Sequence, residues 1–300
     1  MPQTAILEKQ PPADIFLRAA DGPLGVQPLT DAGKDEALAF LAGGSVDSIF
    51  MSGLLYDNGP VSPLNRGAFC AFRGPAGELE GVGLIGHATL IETSTERALE
   101  AFAALAKRCH TAHVIVGEQG KVERFWAHYH EGGQAPRRIC RELLFEQRWP
   151  LPAAEPADGL RRATPEDLAV VMEINARMAE EESGVNPLAA DPGGFSLRTL
   201  RRIEQGRVWV LAEGGRLVFK ADVMSETPES AYLEGVYVHP QERRRGVGRR
   251  SMSQLSRTLL AGSRSVSLLV NDENKGARAF FLAAGFRFRG YYDTIFLNRI

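Results

Sequence analysis

The stretch "VHPQERRRGVGRRSM", residues 238–252, packs five arginines and two glycines between two apolar segments. The run "YLEGVYV" before it reads as a buried strand that Pro240 stops, because proline fixes φ and donates no hydrogen bond. After it a helix begins near Val247, in which Met252, Leu255 and Leu259 recur at three- and four-residue spacing and form one apolar face. A glycine-rich turn between a strand and a helix start lets the backbone come close to a ligand. The helix adds the positive end of its dipole, which suits a phosphate or pyrophosphate. Arg243, Arg244, Arg245 and Arg249 are placed to add charge-assisted hydrogen bonds to that anion. The spacing is not GxxxxGK[ST], so a Walker loop is excluded. A solvated basic turn capping a helix is the plain alternative.

Composition bounds what the loop serves. The chain has 300 residues, 44% hydrophobic and 24% charged, as expected of a globular protein with one or two packed cores. Its net charge of −2 argues against a dedicated partner for nucleic acid or an anionic membrane, so the arginines are a local device. Three scattered cysteines without a CxxC suggest buried thiols in a reducing compartment. No stretch has the apolar length of a leader or a membrane span, and a cytoplasmic location is expected.

The segment "WPLPAAEPADG", residues 149–159, carries three prolines and reads as an extended linker between a domain at 1–148 and another at 160–300. Beyond it come helices at "TPEDLAVVMEINARMAEEE" and "FSLRTLRRIEQ", then a hairpin of "RVWVLAE" and "RLVFKADVM" turned at Gly214–Gly215. The strand "YLEGVYV", the arginine–glycine loop and its helix follow, then the strand "SVSLLV", the helix "NKGARAFFLAA" and a closing strand pair in "FRFRGYYDTIFL". The first half repeats this order without the loop, from "DAGKDEALAFLAG" to "RELLFEQ". Two copies of one mixed α/β architecture are expected, each a mostly antiparallel sheet flanked by helices, the first copy degenerate.

Arg243-x-x-Gly246-x-Gly248 after "VYVHP" resembles the [QR]xxGx[GA] signature of the GNAT superfamily, the acyl-CoA-dependent N-acetyltransferases. Downstream, "NDENKGARAFFLAAGF" is similar to that family's second signature at Asn274, Ala277, Gly285 and Phe286. The resemblance covers residues 160–300, and the order of the two halves looks like bacterial two-domain members. It implies acetyl-CoA as cosubstrate, no metal, and an amine acceptor that is a small molecule, a protein lysine or an N-terminus. It further implies that the amides of Gly246, Val247 and Gly248 hold the CoA pyrophosphate with the arginines. Val236, Tyr237 and Val238 would pair with the pantetheine arm, and Asn274 and Phe281 would line the cofactor. Many members have a tyrosine seven residues after the motif asparagine, which protonates the leaving thiolate. Phe281 stands there and has no proton to give.

Acyl transfer to an amine needs a neutral nucleophile, and Glu234, in the strand leading to the loop, is the candidate base. A carboxylate paired across the sheet with an arginine is its alternative. Backbone N–H groups near Val238 are expected to polarise the carbonyl. Tyr291 and Tyr292 are the candidate acids, and strand alternation, which points one of the two toward the cleft, favours Tyr292. Glu181 and Glu182 end the first helix of the second half, where carboxylates oppose the dipole, and are candidates to hold a cationic acceptor. A solvated acidic turn is their alternative. "GVGLIG" at 81–86 fits GxGxxG, but β-branched "HATLIE" follows instead of a helix, which reads as strand and not as a dinucleotide fold. The six histidines show no metal-ligand spacing. The sequence thus points to an N-acetyltransferase. Phe281 motivates a non-catalytic acyl-CoA-binding protein as the rival, and the arginine run alone motivates a nucleic-acid module.

Overall fold

The structure is a computed structural model that describes residues 25–43, 48–151 and 156–298. The opening stretch 1–24, including the segment read as lacking a leader, lies outside the described residues, as do 152–155 of the expected linker. The chain forms two compact units, Met1–Glu142 with Tyr291–Ile300, and Leu143–Gly290.

In the first unit, β1 (Val26–Pro28) is followed by α1 (Lys34–Ala42) and α2 (Ile49–Asn58). Next come β2 (Gly67–Arg73), β3 (Leu79–Gly86), β4 (Ala88–Thr93), α3 (Glu96–Ala106), β5 (Val114–Glu118), α4 (Gln119–Tyr129) and β6 (Pro136–Gln147), which starts here. Strands β1 to β4 pair antiparallel in sequence order, and β4 then pairs parallel with β5 through Ala88↔Val114 and Thr89↔Ile115. Helix α3 lays Ala98, Leu99, Phe102 and Leu105 on the sheet. The "GVGLIG" glycines lie inside β3, where a Cβ on Gly81 would stand 2.9 Å from the Phe102 ring and one on Gly83 3.2 Å. Those glycines make room for a core ring, as the strand reading requires.

The second unit repeats the scheme. Its elements are β7 (Arg161–Arg162), α5 (Leu168–Ser183), α6 (Pro187–Ala190), α7 (Pro192–Glu204), β8 (Val208–Glu213), β9 (Arg216–Glu226) and β10 (Ala231–Val238). Then come α8 (Val247–Leu259), β11 (Val266–Asn271) and α9 (Lys275–Ala283). Strands β7 to β10 again pair antiparallel in order, and β10 pairs parallel with β11. Gly214 and Gly215 turn the β8–β9 hairpin with φ of +56° and +77°, a backbone that a two-residue turn demands and glycine supplies. Met252, Leu255 and Leu259 of α8 are buried against Phe219, Val223, Leu233 and Leu268, which confirms the apolar face read from spacing.

Two expectations are corrected. The closing strand pair is one strand, β12 (Arg287–Leu297), with Gly290 inside it. The compact units also divide within β6 and β12 and not at the proline-rich segment. The physical reason is pairing: β12 runs antiparallel to β5 from Tyr292↔Glu118 to Phe296↔Val114, which draws residues 291–300 into the first unit. Leu143 and Phe145 of β6, in turn, join the core of the second.

Leu255 has no exposed surface and sits mid-face on α8. Leu255→Ala should lower the stability of the second unit by about 2–5 kcal/mol through lost burial and the cavity left behind. Denaturant titration followed by a probe in that unit checks this, and an unshifted midpoint contradicts the packing described.

Candidate functional site

The site grows from the place where two parallel strands part. β10 pairs with β11 only through Ala231↔Val266, Tyr232↔Ser267 and Leu233↔Leu268. It then runs on to Val238 with β9 alone beside it. One edge of the Glu234–Val238 backbone is thereby left without a ladder partner, and groups of this kind seek a ligand or water. Val236 and Val238 turn toward the core cluster that holds α8, whereas Tyr237 faces the opposite cluster with the Arg177 guanidinium 5.5 Å from its ring.

The loop after Val238 is braced from below. Arg243 Nε donates to the Val238 carbonyl at 3.1 Å, Arg216 reaches Gln241 and Glu242 at 2.7 and 2.9 Å, and Arg245 pairs with Glu242 at 2.9 Å. Arg244 takes the left-handed region at φ +64° and Gly246, the N-cap of α8, at +82°. Arg250 N is the first to donate into the helix, to Gly246 O at 3.0 Å. The N–H groups of Val247, Gly248 and Arg249 come before it, among those that an α-helix leaves unpaired at its start. Gly246 is exposed, and Arg244 and Arg249 extend into solvent beside it. Exposed N–H groups at a helix start beside two arginines have the geometry that suits an anion. Gly248 has another role: it is buried, and a Cβ there would stand 2.7 Å from Val238 Cγ2 and 3.1 Å from the Phe280 ring. Its missing side chain lets α8 pack on β10.

At the other end of the open edge lies a polar cluster that the sequence did not announce. The register of β10 on β9 jumps between Glu234↔Asp222 and Tyr237↔Lys220, a bulge with Gly235 at φ +57°. Lys220, with no exposed surface, donates from Nζ to the Gly235 carbonyl at 2.9 Å and lies 3.0 Å from Asp222 Oδ1. Asn175 of α5 donates to Asp222 Oδ2 at 3.2 Å, and Arg202 of α7 lies 3.4 Å from the same oxygen. Burial pushes the Lys220 pKa down, and Asp222 opposes that. Glu234 is exposed to solvent, although the protein atoms around it desolvate its carboxylate. Burial first, then the Glu182 and Asp222 carboxylates, raise its pKa to about 7 against the pull of Arg202 and Lys220. Two signals in the sequence could have found this cluster: Lys220 and Asp222, two apart on one face of an apolar strand, and Gly235 inside another.

The remaining candidates divide. Glu182 shares the electrostatic field of Glu234, and Glu181 is exposed beside it at the end of α5. Asn274 caps α9, accepting from Ala277 N at 3.0 Å. Phe281 is in the core, its ring edge-on to Phe280 and Phe286, so the position is filled by packing and not presented as a lining group. Tyr292 belongs to the first unit, where its buried hydroxyl has no hydrogen-bond partner among the described residues, and Tyr291 there lies exposed under Arg141. Neither tyrosine is among the residues that the second unit gathers around Glu234. Among the described residues no group of His, Cys, Asp and Glu could hold a metal, and no helix is long and apolar enough to cross a membrane.

The first unit has the same parting of parallel strands, between β4 and β5, but closes it. Lys121 donates to both oxygens of Glu92 at 2.9 Å, and Ser48 donates to one of them at 2.8 Å. The space left among Ile91, Val116, Lys121 and Phe125 is about 10 Å³, room for a single water. Helix α3 follows β4 by a short turn in which Thr95 caps the helix itself, accepting from Ala98 N at 3.4 Å.

Residues 175–286 match the Acetyltransferase (GNAT) family. No curated protein matches the chain. Among solved structures, an acetyltransferase of the GNAT family from Colwellia psychrerythraea is 13% identical with a TM-score of 0.54, covering 91% of this chain and 99% of its own. A Drosophila protein is 15% identical with a TM-score of 0.66, covering 92% and 99%. A tandem GNAT protein from the clavulanic acid biosynthesis pathway is 16% identical with a TM-score of 0.54, covering 90% and 97%. At these identities the structural matches establish the fold, including its tandem form. The second half of the chain carries a GNAT acetyltransferase domain.

Gly248→Ala should push β10 and α8 apart and cost about 1–3 kcal/mol, as overpacking does. Val238→Ala in the same chain removes the group struck and should recover part of that loss. Thermal melts of the single and double variants test the contact, and additive losses contradict it.

Proposed function

We propose, from the GNAT acetyltransferase domain in the second unit, that the protein transfers an acetyl group from acetyl-CoA to an amine acceptor. The observation that supports this most is the open edge of β10, which carries a carboxylate at one end and leads to an anion cradle at the other. When bound, acetyl-CoA supplies an acetyl group already activated as a thioester. The N–H groups of Gly246, Val247 and Gly248, with Arg244 and Arg249, would hold its phosphates at the helix start. The free edge at Val236–Val238 would receive an extended chain as an added strand does. Backbone N–H groups after the Gly235 bulge lie on that edge and can polarise a carbonyl held beside it.

Glu234 takes the proton that an ammonium must lose before its nitrogen can attack. A base whose pKa is about 7 is half ionised at neutral pH, where acceptance and return of a proton are both easy. Glu182 and Glu181 make the approach acidic, which attracts a cationic acceptor, whether a small amine, a lysine or an N-terminus. Phe281 supplies no proton, so the released proton returns through Glu234 and solvent. A thiolate leaves tolerably near neutral pH, and a dedicated acid is dispensable. The rival reading, an acyl-CoA-binding protein without turnover, draws on the same Phe281. Release of free thiol from acetyl-CoA across a panel of small amines and lysine peptides tests the proposal. Tight binding with no transfer to any of them favours the rival.

The cradle is tested by charge. Gly246→Asp places a carboxylate where an anion must sit and should abolish CoA binding, measured by calorimetry on folded protein. Gly246→Asn tolerates the left-handed backbone without the charge and should retain more of it. Equal affinity in the two would show that the site lies elsewhere.

The base is tested by pH. Its raised pKa means that Glu234 carries the proton below pH 7 and cannot accept another. Wild-type kcat/KM should therefore rise with pH through about 7. Glu234→Gln should show no break near pH 7, climb only as the acceptor loses its own proton, and fall short by about a hundredfold near pH 7. The gap should narrow as pH approaches the acceptor's own pKa. A constant ratio at every pH would eliminate Glu234 as the base.

A further inference from the structure

The acetyl-transfer reading leaves a buried lysine unused. Lys220 lies between Phe219 and Ala221, both without exposed surface, in the middle of β9. An apolar side chain would serve stability there at least as well, because desolvating an ion pair offsets most of its attraction. The bulge explains where its proton donors go. Gly235 and Val236 have no register partners on β9, so the Gly235 carbonyl has lost the ladder donor that a regular strand would give it. The Lys220 ammonium stands in for that donor at 2.9 Å. Only glycine allows it, since a Cβ at 235 would lie 2.6 Å from Nζ. The lysine is itself held by Asp222, whose second oxygen is held by Asn175 and Arg202, so α5, α7 and β9 converge on one backbone carbonyl.

We propose that Lys220 is a positioning residue of the site: by holding the Gly235 carbonyl it fixes the bulge, and so aims the Glu234 carboxylate before it and the backbone N–H groups after it. It touches neither substrate and acts through the strand. The inference deepens the acetyl-transfer reading and rests on it for its kinetic consequence, although the hold on Gly235 stands on geometry alone. The charged groups that bear on Glu234 are Glu182 from α5, Arg202 from α7, and Asp222 and Lys220 from β9. Loss of Lys220 therefore has two separable effects: the bulge is released, and Glu234 loses a cation that favours its ionised form.

Full-length Lys220→Met and Lys220→Met/Asp222→Asn separate them. The double variant also removes the carboxylate that the single variant strands, and so guards against misfolding from an unpaired charge. In both, the kcat for acetyl transfer should fall by about a hundredfold, the loss expected when reacting groups shift by an ångström. The KM for acetyl-CoA should hold, because the cradle at Gly246 is untouched. The Glu234 midpoint, read by carbon NMR of its carboxyl and by the lower limb of the pH–rate profile, should move up in the single variant. In the double variant it should return toward the wild-type value, while kcat stays low. The Val236 amide resonance should shift in both. A double variant that regains kcat along with its midpoint would reduce Lys220 to a charge and overturn the positioning role, as would a lowered melting temperature with kinetics intact. The NMR measurements need no turnover. If the wild type binds acetyl-CoA but acetylates no amine, the functional reading fails, and an unmoved Val236 resonance in Lys220→Met separately refutes the hold on Gly235.

Discussion

A strand that leaves its neighbour halfway must find other partners for its backbone, and the second unit is organised around that constraint. β10 keeps β11 for three residues and then stands open on one side. The start of their pairing is pinned by a buried hydroxyl network. Ser265 Oγ donates to Ser230 Oγ at 2.8 Å, Ser263 Oγ to the Thr227 carbonyl at 2.7 Å, and Ala231 N to the Ser265 carbonyl at 2.9 Å. These short side chains tie the start of β10 to the start of β11 without taking space, so the pairing begins at one fixed residue pair. Downstream the open edge is shaped by devices of the same kind: the bulge at Gly235, the close approach at Gly248 and the left-handed turn at Gly246.

The first unit meets the same constraint with side chains of its own. Its parallel pair also stops after two partners, but an ion pair of Glu92 with Lys121 takes the vacated place. Side chains of its own satisfy what a ligand would otherwise satisfy, and Thr95 does the same for the start of α3. Buried ion pairs add little to stability compared with apolar packing. The consequence of this one is that the groove is filled.

Local features were legible in the sequence, and distant pairings were not. The loop at 243–248, the face of α8 and the hairpin at Gly214–Gly215 are set by neighbours within a few residues, and spacing alone revealed them. The hold of Lys220 on Gly235 joins two strands across a hairpin, and its parts read separately as a charged residue and a weak spot. Strand alternation within the second half makes Tyr292 the candidate acid, whereas pairing with β5 places it in the first unit. Phe281 was read by motif position, while its environment is set by Phe280 and Phe286, and that marks a core residue. The proline-rich stretch announced a boundary by composition, yet compactness follows the strands on either side of it.

The last consequence concerns charge along β10. The strand ends in arginines at the loop and begins beside carboxylates, two fields of opposite sign on one element. Glu234 to Val238 spans on the order of 13 Å at extended rise, and the arginines lie beyond that. Screening at physiological salt acts over about 8 Å. The loop arginines are therefore too far to hold Glu234 ionised, and none of them is among the groups that set its pKa. That pKa is decided locally, by burial with Glu182 and Asp222 on one side and Arg202 with Lys220 on the other. Separation by a strand length thus keeps the proposed anion site at one end from setting the protonation of the proposed base at the other.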